Sequence, residues 1–203
     1  MTPKIFERIY IELKREVTSG RYMPGQRLQA RSLADTLRTS TSPLTHAMRQ
    51  LIGENVLEYS AQDGFIVPRV TERRLRDQYV WCRHLTSIGL SSASSNEPSP
   101  LPPPGDTEII GSTEHLFGVI AATAGNLDLT QAMANISDRL RATRLLEGQL
   151  FVDCPVELTD LIELWNAARI TALRRALTAY HQRRLTAVPQ LLSLSYQDRT
   201  ASI

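Results

Sequence analysis

Residues 5–68 constrain the fold most tightly. Ile5, Phe6, Ile9, Tyr10, Leu13 and Val17 recur at helical spacing and define one apolar face. Thr2 and Pro3 suit the start of that helix, and Gly20 suits its stop. A loop with Pro24-Gly25 follows. Leu33, Ala34 and Leu37 form the buried side of a second, short helix. Ser40 suits the cap of a third, with Pro43 tolerated in its first turn. Val56 to Ser60 and Phe65 to Pro68 are β-prone runs joined by Ala61-Gln62-Asp63-Gly64, a turn with glycine where φ can be positive. Three helices and a hairpin in that order predict a winged helix-turn-helix, an arrangement that lays its third helix in a DNA major groove.

On that helix Leu44, Ala47, Met48, Leu51 and Ile52 take the inward side. Thr41, Ser42, Thr45, His46 and Arg49 are left for the outer one, since positions 41, 45 and 49 stack a turn apart. The free N–H groups of the helix start favour a phosphate. Gly64 admits two readings, a simple turn glycine or a point where the backbone approaches a minor groove.

With 203 residues the chain can form one domain or two small ones, and 42% hydrophobic residues suffice for packed cores. No apolar run is long enough to span a membrane. The N-terminal stretch is amphipathic and carries Glu7, Glu12 and Glu16, unlike a secretory signal. Cys82 and Cys154 make neither a disulfide framework nor a CxxC site, and free thiols in a reducing cytoplasm are the expectation. The net charge of +2 conceals an asymmetry. Residues 1–76 hold 13 Lys/Arg against 8 Asp/Glu, giving +5, and residues 77–203 hold 10 against 13, giving −3. A basic head on an acidic body fits DNA binding by the head alone.

The segment IYIELKREVTSGRYMPGQRLQARSLADTLRTSTSPLTHAMRQLIGENVLEY resembles the N-terminal winged helix of the GntR family of bacterial transcription regulators. The resemblance rests on Ile9, Leu13, Ser19-Gly20-Arg21, Pro24-Gly25, Leu28, Arg31, Leu33-Ala34, Ser40, Pro43, Ala47, Leu51, Leu57, Gly64 and Val67, about a third of the chain. It implies a homodimer on double-stranded DNA. The expected DNA-facing residues are Arg31 and Ser32, Arg38, Ser40, Thr41, Ser42, Thr45, His46, Arg49 and Gly64. An arginine at 31 can fork onto guanine or clamp a phosphate. The chain also departs from the family pattern. Where relatives carry two arginines on the recognition helix, this sequence has Thr41 and Thr45. Each lost Arg–guanine pair removes roughly 1–3 kcal/mol of discrimination. Asp63 makes the wing tip less basic than is usual.

From Thr71 the pattern turns helical, and the expected division is 1–70 and 71–203. Helices are predicted over Thr71 to about Leu90, Ser112 to Ala124, Leu127 to Glu147, Pro155 to about Arg184, and Thr186 to Leu194. Residues 91–106, rich in Ser and Pro, are expected to be an exposed loop that buries no face. The fold class is therefore mainly α, a winged helix plus an all-α bundle. The second part resembles the helical effector-binding domain of the FadR subfamily, often called the FCD domain, through domain order, GSTEHLFGVIAATAGNLDL and a long C-terminal helix ending in a histidine. Many such domains hold a divalent metal with one Asp and three His. Here the Asp position falls on Thr113, the first His on Phe117 and the next near Thr159, and only His181 survives. No metal and no cofactor is expected. The resemblance also implies a small carboxylate effector, with Arg83, His115 and His181 as its candidate contacts.

The leading expectation is a DNA-binding regulator, by resemblance a repressor. A winged-helix interaction or architectural module that has lost operator reading is the alternative. An enzyme is not expected: no nucleophile–base pair and no Gly-rich phosphate loop is visible, so there are no catalytic candidates.

Overall fold

The computed structural model describes residues 3–93, 99–104 and 109–197, with the side chains of 5–92 among the first of these. They divide into two compact units. The first ends at Thr71 and takes back the segment from Ser193 on, and the second is Glu72–Leu192. The fold is mainly α, a winged helix followed by an all-α unit.

In the first unit, α1 (Pro3–Thr18), α2 (Ala30–Thr36) and α3 (Thr41–Gly53) precede the hairpin β1 (Glu58–Ser60) and β2 (Gly64–Ile66). Ile9, Leu13 and Val17 enter the core with Leu33, Ala34, Leu44, Met48 and Leu51. Ile5, expected on that apolar face, is 48% exposed, because it precedes the part of α1 that α3 covers. Arg38 and Asn55 close α2 and α3 with left-handed backbones, φ 48° and 59°. Tyr59 pairs with Phe65 across the hairpin, and their rings meet edge to face at 5.4 Å. The loop before α2 also joins the wing. Gly25 N–H donates to Val67 O, Val67 N–H to Gln26 O and Leu28 N–H to Phe65 O. This third edge is invisible to local reading, since the Pro24-Gly25 segment carries only a turn signal. Tyr196 Oη donates to Val70 O at 2.8 Å within the same unit.

The second unit holds α4 (Glu72–Ala93), α5 (Ile109–Ala122), α6 (Leu127–Leu150), α7 (Cys154–Asn166) and α8 (Ile170–Thr186), and α9 (Val188–Ser195) crosses the division. Asn126 caps α6 by accepting from Leu129 N–H. At Gly89 the α4 backbone passes so close to α5 that a Cβ would lie 2.4 Å from Ile120 O. A buried charge cluster ties four helices together. Glu147 of α6 accepts from Tyr79 of α4 at 2.7 Å and from Arg184 Nε of α8 at 2.8 Å, and Arg184 also donates to Glu157 of α7.

Two expectations need correction here. The single helix from Pro155 to Arg184 is two, broken at Ala167-Ala168-Arg169. Ala168 adopts φ 53°, Arg169 N–H donates to Leu164 O and Ala168 N–H to Trp165 O. That is a left-handed helix stop built without glycine, and so it leaves no compositional signal. The Ser/Pro-rich stretch also differs from expectation. Residues 91–93 belong to α4, and 94–98 and 105–106 lie outside the described residues. Residues 99–104 are irregular but anchored. Leu101 is 7% exposed, Asn166 pairs with both its N–H and its C=O at 2.8 Å, and Trp165 Nε1 donates to Ser99 O. The backbone of this stretch is held by Asn166 and Trp165, partners that only the fold brings near.

Candidate nucleic-acid interface and bundle cavities

The outer side of α3 is built by burying the other one. Leu44, Ala47, Met48 and Leu51 are fully covered, which turns Thr41, Ser42, His46 and Arg49 into solvent and leaves Thr45 half-buried. Arg31 and Ser32 are exposed on the first turn of α2, and Arg38 is exposed in the turn between the two helices. Among the described residues, Arg31, Arg38 and Arg49 have no ion-pair partner. These three exposed guanidiniums, on α2, in the turn and on α3, are suited to phosphates. Ser40 occupies the N-cap position of α3 with φ −87° and ψ 159°, but its hydroxyl makes no capping hydrogen bond. The expected cap is positional only, and the first N–H groups of α3 stay open.

His46 is exposed yet not free to swing. Its ring stands edge-on to Phe6 of α1, with centroids 4.9 Å apart. Gly64 opens β2 beside the wing tip with φ 72°, so the turn needs it for backbone reasons, and a Cβ there would meet nothing. Asp63 is exposed at the tip. Sequence reading passed over Arg27 and Arg69. Both are exposed where the loop joins the wing. Arg27 pairs with Ile66 through the backbone, and the Arg69 side chain lies against Gly25. The pairing of loop and wing, which no local pattern reveals, places them there.

In the helical unit the three effector candidates separate. Arg83 and His181 line one cavity of about 250 Å³ between α4 and α8, together with His84 and Arg174. His115 is exposed on α5 and does not line that cavity. Arg174 of α8 faces Arg83 across this cavity's lining. His181 is 1% exposed, and neither ring nitrogen has a hydrogen-bond partner among the described residues. Burial, reinforced by Arg144, Arg184 and Arg83, pushes its pKa down to about 3, so it stands neutral.

The family's metal is tested by what stands around His181. The Phe117 ring stacks on it, centroids 5.7 Å apart and planes 19° from parallel, where the resemblance calls for a second imidazole. Thr113 donates its hydroxyl to Ile109 O instead of offering a carboxylate. Among the described residues no three His, Cys, Asp or Glu side chains are grouped to hold an ion. This donor set does not fit a divalent metal. The thiols are also poor nucleophiles. Burial raises the Cys82 pKa, and pushes that of Cys154 to about 11.

A winged helix with an exposed, cationic recognition side, followed by an all-α unit, is the architecture these observations define. Residues 5–67 match the family model described as bacterial regulatory proteins, gntR family, so the first unit carries a gntR-type helix-turn-helix domain. The HTH-type transcriptional regulator McbR of Escherichia coli (strain K12) is 34% identical over 64 residues, 32% of this chain and 29% of McbR. That match spans less than a third of the relative's length. The solved structures reach further. A GntR protein from Rhodococcus sp. RHA1 superposes with a TM-score of 0.69 at 15% identity, covering 94% of this chain and 98% of that one. E. coli McbR/YncC does so with a TM-score of 0.67 at 19% identity, covering 94% and 99%. At such identities these two establish the shared fold.

Proposed function

We propose that this protein is a sequence-specific DNA-binding transcription regulator, a cytoplasmic homodimer acting as a repressor. The observation that carries the reading is the exposed surface of Arg31, Thr41 and Arg49, with half-buried Thr45 between them, on a gntR-type domain, its guanidiniums without an ion-pair partner among the described residues. McbR, similar over 64 residues, is named as an HTH-type transcriptional regulator. In a symmetric dimer two such surfaces address two half-sites of a near-palindromic operator. The helical unit serves as the sensing part. Its Arg83–His181 cavity suits a small organic acid, with Arg83 and Arg174 to hold a carboxylate. Such a ligand changes DNA affinity only by binding one arrangement of the dimer better than another.

The alternative, a protein-interaction module, draws on the replaced arginines at 41 and 45 and on Asp63 at the wing tip. Selection from a random duplex pool at physiological salt separates the two. The regulator should enrich a two-fold symmetric site, and Arg31→Ala should relax or abolish that enrichment. Weak binding without an enriched site would favour the interaction module.

A further inference from the structure

We propose that His46 of α3 reads a purine in the major groove, and that Phe6 of α1 is the residue that positions it. The inference deepens the DNA-binding reading above and rests on it. Leu44 and Leu51 are fully buried on α3. At helical spacing the residues directly opposite them are Ser42, His46 and Arg49, all exposed. His46 is the middle member of this stripe. Among the described residues its ring nitrogens have no hydrogen-bond or ion-pair partner, and its ring contact is with Phe6.

Phe6 is a firm support. It is half-buried and packs against the core cluster of the first unit. One turn further along α1, the Tyr10 hydroxyl donates to the Glu54 carboxylate at 2.7 Å, and Lys14 pairs with the same carboxylate at 2.7 Å. Glu54 is the C-cap of α3. Helix α1 therefore grips α3 at His46 and again at its C-terminal end, which sets the rotation of α3 as well as the direction of the ring. An exposed side chain ordinarily loses rotamer freedom when a ligand captures it. With the imidazole already held by Phe6, part of that loss occurs in folding and less of it opposes binding.

An imidazole offers an N–H donor in either protonation state. In the major groove both purines present N7 as an acceptor. The pyrimidine edge puts C5 at the corresponding place, bare in cytosine and methylated in thymine, with no acceptor there. A donor held at a fixed point thus favours a purine, because a pyrimidine leaves the donor unpaired. The choice between adenine and guanine falls to neighbouring side chains.

The test is selection from a random duplex pool at physiological salt, run in parallel on the full-length wild type, His46→Ala, His46→Gln, Phe6→Leu and Phe6→Tyr. The wild type is expected to enrich a two-fold symmetric site with a purine at one position of each half-site. Changing that purine to a pyrimidine should weaken wild-type binding about fivefold or more, and His46→Ala should erase this difference at that pair of positions alone. His46→Gln should narrow the purine to adenine, whose N6 and N7 a side-chain amide can pair with. Phe6→Leu keeps the apolar packing without the ring contact, so it should relax the same positions, and Phe6→Tyr should retain them. A preference that survives His46→Ala, or a loss spread evenly over the site, would overturn the assignment of His46 and leave the DNA-binding reading intact. An unaltered site with Phe6→Leu would remove the positioning role. A wild type that enriches no site would remove the regulator reading itself and this inference with it. His46→Gln, which keeps a polar side chain of similar length, decides the matter if a truncation destabilises the head.

Discussion

His181 is a buried base held neutral, and this has a consequence with a definite sign. Its pKa is about 3 in the folded chain against 6.5 for an unperturbed histidine. Above 6.5 neither state binds the proton. Between 6.5 and 3 the unfolded chain takes a proton that the folded chain refuses, so stability falls as the pH drops through this window, by up to about 1.4 kcal/mol per pH unit. His181→Gln should flatten that part of the acid limb in urea midpoints measured from neutral pH downward. An unchanged slope would refute the assignment. Ala168 is the other residue with a local cost, since an L side chain at φ 53° crowds the following carbonyl. Ala168→Gly should stabilise the helical unit by roughly 0.5–1 kcal/mol in chemical denaturation.

Helical periodicity made α1, α3, α4 and α6 legible, because each buries one stripe and exposes the rest. The turn residues placed the hairpin for the same local reason. What escaped was decided by contact between distant segments. The α7–α8 break depends on an alanine in a conformation that alanine rarely adopts. The anchoring of 99–104 depends on Asn166, 65 positions from Leu101. That pairing gives a test: Asn166→Ala leaves both Leu101 backbone groups without their partner. It should cost about 1–2 kcal/mol and speed proteolysis near 99–104. Deleting residues 92–104 should likewise lower thermal stability, whereas a mere linker would tolerate the cut.

At the scale of the whole molecule the charge is divided, with +5 over residues 1–76 and −3 over 77–203. If the head alone meets DNA, affinity should fall steeply with salt, the slope of log K against log salt being about −0.9 per phosphate neutralised. Arg49→Ala should make that slope shallower by about one unit if Arg49 meets a phosphate. Fluorescence anisotropy across a salt series reads both quantities, and a flat dependence would remove the electrostatic argument.

Local chain chemistry alone specified the winged helix, its order of elements and which side of α3 stays exposed. Those follow from local periodicity, turn chemistry and which residues remain once an amphipathic helix buries its apolar stripe. It also placed His181 without the carboxylate and imidazole partners the family would supply. Only the tertiary structure brought Arg83 and Arg174 to one cavity and moved His115 away from it. Among the described residues it alone left both ring nitrogens of His181 without a hydrogen-bond partner, because hydrogen-bond satisfaction inside a bundle is settled by which helices meet, and no single stretch of chain encodes that.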